Sequence, residues 1–204
     1  MALVVLLWTT AKQLMRVVAI FVFLSCAGIP AGATIFQQLT LDEMARKSTS
    51  IVHARVTGSR ELAQGRDVFT VYKFETLETL KSGPATREVA VPGGVAAGMR
   101  QVVAGAPTLR LGQEYVLFLW TSRSGLTQLM GMSQGLFSVG RTTAGDRQVS
   151  RAAAGEQMLD AAGRAVRDPA LSMPLTELKA KVAKALAGAV TAGARRTMAP
   201  GAGK

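Results

Sequence analysis

The stretch that decides the fold is GAPTLRLGQEYVLFLW, Gly105 to Trp120. Pro107 sets the backbone for a turn, Leu109 and Leu111 alternate around Arg110, and Gly112-Gln113 supplies a corner. The run Tyr115 to Trp120 has no polar side-chain group beyond a phenol hydroxyl and an indole N–H. It is too short for a helix and rich in β-formers, so it reads as a central strand covered on both faces.

Working outward, the flanking segments show the same β character. Upstream, Ile51 to Val56 is a strand closed by Gly58, and a polar loop is expected from Ser59 to Arg66. Asp67 to Leu80 is a longer strand. Phe69 and Val71 share one face, Phe74 has the opposite parity, and Leu77 and Leu80 are three apart. A regular strand keeps one parity, so this change of face predicts a bulge or a strongly coiled strand serving two walls of a barrel. Arg87 to Val91 is a third strand. Pro92 to Gly98 reads as a flexible connector, with Val102-Val103 pairing locally. Downstream, Ser122 to Gly125 turns the chain, and Leu126–Met132 and Leu136–Val139 are two further strands. Short strands at even spacing argue for a small barrel or sandwich.

Two helices flank this β region. Thr40 and Glu43 have capping-box spacing, with Leu41, Met44 and Ala45 on one side of a short helix. From Pro174 to Ala187, Leu175, Leu178, Val182 and Leu186 form an apolar stripe at helical spacing, as expected of a helix docked on the barrel. Between them, Gln148 to Val166 suggests a weak hairpin around Ala161-Ala-Gly163.

The N-terminus reads as an export signal. Arg16 precedes the apolar run Val17 to Leu24, Pro30 breaks it, and Ala31-Gly32-Ala33 offers a small-x-small cleavage site after Ala33. The leader is complete from Met15 onward, which makes Met15 an alternative start. Phe23-Leu24-Ser25-Cys26 also resembles a lipobox, so lipid attachment at Cys26 is the alternative to simple cleavage. Cys26 is the only cysteine, and cleavage after Ala33 leaves no disulfide and no thiol nucleophile. The expected organisation is a signal peptide over 1–33, a β-barrel domain over 34–140, a weak hairpin and docked helix over 141–189, and a disordered tail over 190–204. The expected destination is the periplasm or the exterior, or a lipid anchor through Cys26, with no transmembrane segment in the mature chain.

The chain is basic, with 24 Lys and Arg against 13 Asp and Glu, and the excess is spread along it. That distribution suits a solvated surface better than a nucleic-acid footprint.

The succession SIVHARVTG (50–58), FTVYKFETLETLKSG (69–83) and LRLGQEYVLFL (109–119) resembles the netrin-like module. That module is shared by tissue inhibitors of metalloproteinases and the C-terminal domains of netrins and complement proteins. The chain is also similar to a group of exported bacterial proteins with an LDE.AR.S opening, a VPGG connector and a G..QG.F.V hairpin, here over roughly residues 39–140 and the terminal helix. The resemblance implies a five-stranded OB-type barrel with helices packed outside, and an exported, partner-binding habit. The inhibitors hold a catalytic zinc through an N-terminal cysteine, whereas the mature start expected here is Thr34-Ile35-Phe36 with no cysteine beyond it. Their inhibitory chemistry therefore carries over to no residue of this chain.

Candidate chemistry is sparse. Gly131-Met-Ser133-Gln-Gly135 fits the G-x-S-x-G nucleophile elbow, but a strand pattern follows where a helix is needed, and the single histidine, His53, lies upstream. A hairpin turn using both glycines is the expected reading. His53 has no carboxylate cluster near it in sequence, so a strand histidine is expected rather than a metal ligand. Glu75 and Glu78 point to opposite faces if their strand is regular, an exclusion that a bulge would weaken. The glycines of 93–98 lack the Gly-Lys-Ser/Thr ending of a phosphate loop. Phe69, Tyr72, Phe74, Tyr115, Phe118 and Trp120, with Arg55, Lys73 and Arg110, could serve base stacking in an OB barrel, although the core needs most of those rings.

The expectation is a mainly β chain: a small closed OB/netrin-like barrel with a short N-terminal helix and a C-terminal amphipathic helix. It is expected to act as a non-enzymatic binding module for a protein of the envelope or exterior, such as a protease, with no catalytic, cofactor or metal residue assigned. An oligosaccharide- or nucleic-acid-binding OB domain, and a hydrolase using Ser133, are the alternatives. Val52, Phe69, Val71, Val91, Leu111, Val116, Phe118, Leu136 and Val139 are expected inside, with Gly83 and Gly112 at corners.

Overall fold

The computed structural model describes residues 35–197. The expected cleavage site at Ala31 and Ala33, Cys26 and the Met15 start lie outside them. The chain is mainly β with two helices. In order, the elements are β1 (Phe36–Gln37), α1 (Leu41–Lys47), β2 (Ser50–Gln64), β3 (Asp67–Lys81), β4 (Glu88–Pro92), β5 (Gly94–Ala96), β6 (Met99–Gln101), β7 (Glu114–Thr121), β8 (Thr127–Leu129), a 3-10 turn (Met132–Gly135), β9 (Leu136–Arg141), β10 (Arg147–Arg151), β11 (Met158–Leu159), β12 (Ala165–Val166), β13 (Leu171–Pro174) and α2 (Leu175–Thr197).

The main sheet has eight strands in the order β13-β10-β9-β7-β2-β3-β4-β8, and β8 also pairs with β7. The hydrogen-bonded path β7–β2–β3–β4–β8 therefore returns to β7. Its thinnest link is the parallel pairing of β4 with β8 at Ala90 and Gln128. The sheet is larger than the barrel expected from sequence, because β9, β10 and β13 continue outward from β7.

The opening stretch builds the junction of these two parts. One edge of β7 pairs with β2 from Glu114 to Leu119. The other edge is divided: Glu114–Leu117 pair with β9, and Leu119–Thr121 with β8. Alternation along β7 feeds two cores. Tyr115, Leu117 and Leu119 join Val52, Ala54, Val56, Tyr72, Phe74, Val89, Val91, Leu109 and Leu129 in one. Val116 and Phe118 join Ile51, Phe137, Val139 and Val149 in the other, beneath Met44 and Ala45 of α1 and Leu175, Leu178, Val182 and Ala185 of α2. The Tyr115 hydroxyl accepts a hydrogen bond from the Arg110 N–H at 2.9 Å, which satisfies the buried phenol.

Phe69 and Val71 pack on one face of β3 and Tyr72 and Phe74 on the other, so that stretch alternates regularly with both faces covered, and the bulges of β3 lie beyond Phe74. Ile51 faces Lys81 but Val52 faces Thr79, and His53 faces Glu78 but Ala54 faces Thr76, so Leu80 and Leu77 are the extra residues. The capping box of α1 is also present, with the Glu43 N–H donating to Thr40 Oγ1 and the Thr40 N–H donating to the Glu43 carboxylate. At its other end Lys81 Nζ donates to the carbonyls of Ala45, Arg46 and Ser48.

Several expectations need correction. The loop expected at Ser59–Arg66 is strand up to Gln64, joined to β3 across Gly65-Arg66, with Gln64 facing Asp67. Apart from Leu62, which packs on the core of Phe69, Val71 and Ala90, its side chains from Ser59 to Gln64 are exposed, so its polar composition hides a ladder that β3 fully pairs. Leu111 is 73% exposed rather than inside. The Gln113 N–H bonds the Arg110 carbonyl, which puts Leu111 at the tip of a turn and breaks its alternation with buried Leu109. Trp120 is likewise exposed, so the doubly covered run ends at Leu119. The 92–98 connector is an ordered hairpin of β5 and β6, turning through Ala97 and Gly98 at positive φ. Val102 lies beyond it, 84% exposed, and does not pair. The strand expected over Leu126–Met132 is confined to Thr127–Leu129. Gln148 belongs to β10 in the main sheet, and the hairpin around Gly163 joins only β11 and β12. The helix α2 runs to Thr197 through Ala-rich sequence of high helix propensity, into the tail expected to be disordered.

Candidate functional site

Four buried polar residues, His53, Gln134, Arg151 and Asp168, fall into two groups. The first lies on the β2–β7–β9 face where it emerges from beneath α2. His53 is buried, and its Nε2 stands 3.0 Å from Glu114 Oε2. The second oxygen of Glu114 accepts from Arg55 at 2.7 Å, and Arg147 stands at 3.8 Å. Burial pushes the His53 imidazole below its ordinary value, against the opposing pull of Glu114. The Arg55 bond holds the Glu114 carboxyl below the usual range. The bulge at Leu77 places Glu78 opposite His53 and Glu75 opposite Arg55, so the two glutamates share a face, contrary to the regular-strand expectation. Glu78 is bound by Lys179 of α2, which leaves it tied as an ion pair.

The second group ties the C-terminal segments to the sheet. Arg151 and Asp168 form an ion pair at 2.6 Å, both nearly inaccessible. The guanidinium lies 5.7 Å over the Phe137 ring and donates to the Gln134 carbonyl. The Gln134 amide in turn receives the Leu39 N–H and donates to the Gln37 carbonyl. Among the described residues Arg151 Nε and Asp168 Oδ2 have no hydrogen-bond partner. Sequence reasoning missed this cluster, because Gln134, Arg151 and Asp168 are ordinary polar residues at wide spacing. The only sequence signal was the QG.F.V pattern, in which Gln134, Phe137 and Val139 are all buried.

Ser133 lies in a four-residue 3-10 turn that leads into β9, without the helix an elbow requires. Both glycines of its motif have backbone reasons. Gly131 has φ 63°, and a Cβ on Gly135 would come within 2.5 Å of the Met130 carbonyl oxygen. This turn is where the chain crosses from β8 to β9 along one edge of β7. Among the described residues no hydrogen bond joins Ser133 to His53.

The aromatic residues do not form an exposed stacking surface. Phe69, Tyr72, Phe74, Tyr115 and Phe118 are buried, and only Trp120 reaches solvent. Among the described residues no three His, Cys, Asp or Glu side chains group as a metal site.

Two concave regions remain. A groove of about 580 Å³ lies between Glu61, Thr70 and Tyr72 and the β5–β6 hairpin with its following segment. Val95, Met99 and Val102, all exposed, belong to that hairpin and the residue after it. Gly94 permits the approach of the hairpin to β2: a Cβ there would come within 2.2 Å of Glu61 Oε2. The other region, beside the second half of β3, holds two adjoining clefts of about 690 and 520 Å³ that share Thr76 and Arg87. No described helix is long and apolar enough to cross a membrane. No family model, no curated protein and no solved structure matches this chain.

Proposed function

We propose that this chain is an exported, non-enzymatic binding module with a barrel of OB or netrin-like type, and that its ligand is another protein of the envelope or the exterior. The barrel reading is supported by the five-strand circuit of pairings, with two helices packed against its outer face. Export is supported by the leader pattern ending at Ala33.

The observation that carries the protein-binding reading is the pair of exposed aliphatics Val95, on the hairpin, and Val102, just beyond it, which both line the groove. Scattered exposed aliphatics need no explanation, whereas apolar side chains gathered at one groove mark a contact surface. The experiment is capture from native envelope extract by the tagged protein, compared with its Val95→Asp/Val102→Asp variant. A partner retained by the first and lost by the second, with equal thermal stability, supports the reading. Salt-sensitive binding to an anionic polymer would favour an oligosaccharide or nucleic-acid ligand. Covalent labelling of Ser133 by a phosphonyl probe would favour a hydrolase.

A further inference from the structure

Strand β3 is fifteen residues long, but β4 covers only part of it. Phe69 to Lys73 pair with β4, and the Phe74 N–H to the Arg87 carbonyl at 2.9 Å is the last backbone bond on that side. From Glu75 to Lys81 the strand pairs with β2 on one edge and, among the described residues, with no strand on the other. The chain leaves at Ser82 and returns as the loop 82–87. Gly83 packs so closely on Thr49 that a Cβ would come within 2.2 Å of its carbonyl oxygen. Between this loop and the open edge lie the clefts of about 690 and 520 Å³. A free strand edge beside a gap is the geometry of strand addition, in which backbone hydrogen bonds supply affinity and flanking side chains supply selectivity.

Two independent observations point to an occupant. Ser50, 4% exposed, lines the gap, and its Oγ has no hydrogen-bond partner among the described residues. A buried hydroxyl left unpaired calls for a missing partner. The charges of the lining are also unbalanced. Glu88 is bound by Arg60, and Lys81 by the three carbonyls that end α1. That leaves Lys73 and Arg87 in no ion pair among the described residues; Glu75 stands opposite Arg55, and Glu88, which faces Lys73 across the ladder, is held by Arg60, so the lining keeps an excess of positive charge. The bulges at Leu77 and Leu80 bend the edge, which limits indiscriminate pairing of the kind that leads to aggregation.

We propose that the open edge of β3 from Glu75 to Lys81 accepts an extended segment of a partner polypeptide as an added strand. A carboxylate side chain of that segment meets Lys73 and Arg87, and a polar group of it meets the Ser50 hydroxyl. This deepens the protein-binding reading and rests on it.

The test uses a defined probe: a blocked ten-residue peptide of alternating Thr and Val with two Glu at one end. It is titrated into the isotope-labelled protein as exported and purified. The expected result is amide shifts and slowed hydrogen exchange at 75–81. Affinity should fall at least tenfold when alternate peptide amides are N-methylated along one edge, and comparably in Lys73→Glu/Arg87→Glu. Ser50→Ala should weaken the peptide several-fold while leaving the unfolding midpoint unchanged or raised, which a purely structural serine would not do. Absence of binding, binding elsewhere, or equal binding of the N-methylated peptide overturns strand addition. Partner capture that is still lost in Val95→Asp/Val102→Asp would leave the broader protein-binding reading standing in that case. If the peptide binds at β3 as expected but no envelope protein is captured, the broader reading fails in its natural setting.

Discussion

Replacing Phe118 by alanine tests whether β7 is the central strand on which both cores depend. Phe118 is fully buried, faces Ile51 across the β2 ladder, and packs its ring 5.7 Å from that of Phe137 at 48°. Both helices sit over it through Met44, Leu175, Leu178 and Val182. Trimming the ring removes roughly 100 Å² of apolar burial, about 2.5 kcal/mol at ~25 cal/mol per Å². The lost ring pair adds about 0.5–1.5 kcal/mol, and incomplete collapse of the void adds a further share. The expected loss is therefore about 3–5 kcal/mol. The assay is urea unfolding followed by circular dichroism, with Trp120→Ala as the control. Trp120 is on the same strand but 43% exposed, and its loss should stay below about 1 kcal/mol. A Phe118→Ala cost near zero, or equal to that of Trp120→Ala, would refute the placement of β7 between two cores.

His53 makes stability sensitive to mild acid. Its imidazole is held below the ordinary 6.5 by burial, so the unfolded chain takes up a proton as pH falls through 6.5 while the folded chain does not. Stability should fall between pH 7.5 and 5.5. The depressed Glu114 adds its own loss only at lower pH, below the ordinary carboxylate value. His53→Gln should flatten the upper slope, as read from urea midpoints at each pH; an unchanged slope would contradict it. Lys81→Met should cost about 1–3 kcal/mol by leaving three carbonyls at the end of α1 without their donor, measurable by thermal unfolding. Asp168→Ala should cost about 3–5 kcal/mol by stranding the buried Arg151, and Arg151→Met/Asp168→Leu should restore most of it. Equal instability of single and double variants would show that the site contributes through shape rather than charge.

What the sequence disclosed follows from where burial leaves a periodic trace. The doubly buried run of β7, the stripe of α2 and the capping box of α1 were all legible, because each is a local pattern imposed by a face. The β3 bulges were legible in part: Leu77 and Leu80, spaced three apart, are the residues that bulge, whereas the parity of Phe74 against Phe69 and Val71 reflects burial on both faces. Where a strand keeps few buried side chains, pattern disappears, so β2 beyond Gly58, with only Leu62 packed on the core, read as a loop. Leu111 misled because alternation continued in sequence through a turn that reverses the chain. The candidate surfaces were the least legible. The open edge of β3 exists only because β4 stops pairing at Lys73, and an absent neighbour leaves no mark on the strand that lacks it. The His53–Glu114 contact joins residues 61 apart, and nothing at either position announces the other.

The five-strand circuit is the claim on which the proposed barrel depends, and it is joined at one narrow point. Nuclear Overhauser contacts between the backbone protons of Ala90 and Gln128, together with slow amide exchange across Thr127–Leu129, are the result expected. Absence of those contacts, with rapid exchange at β8 under conditions where β2 and β7 stay protected, would mean that the sheet is open and that the barrel account is wrong.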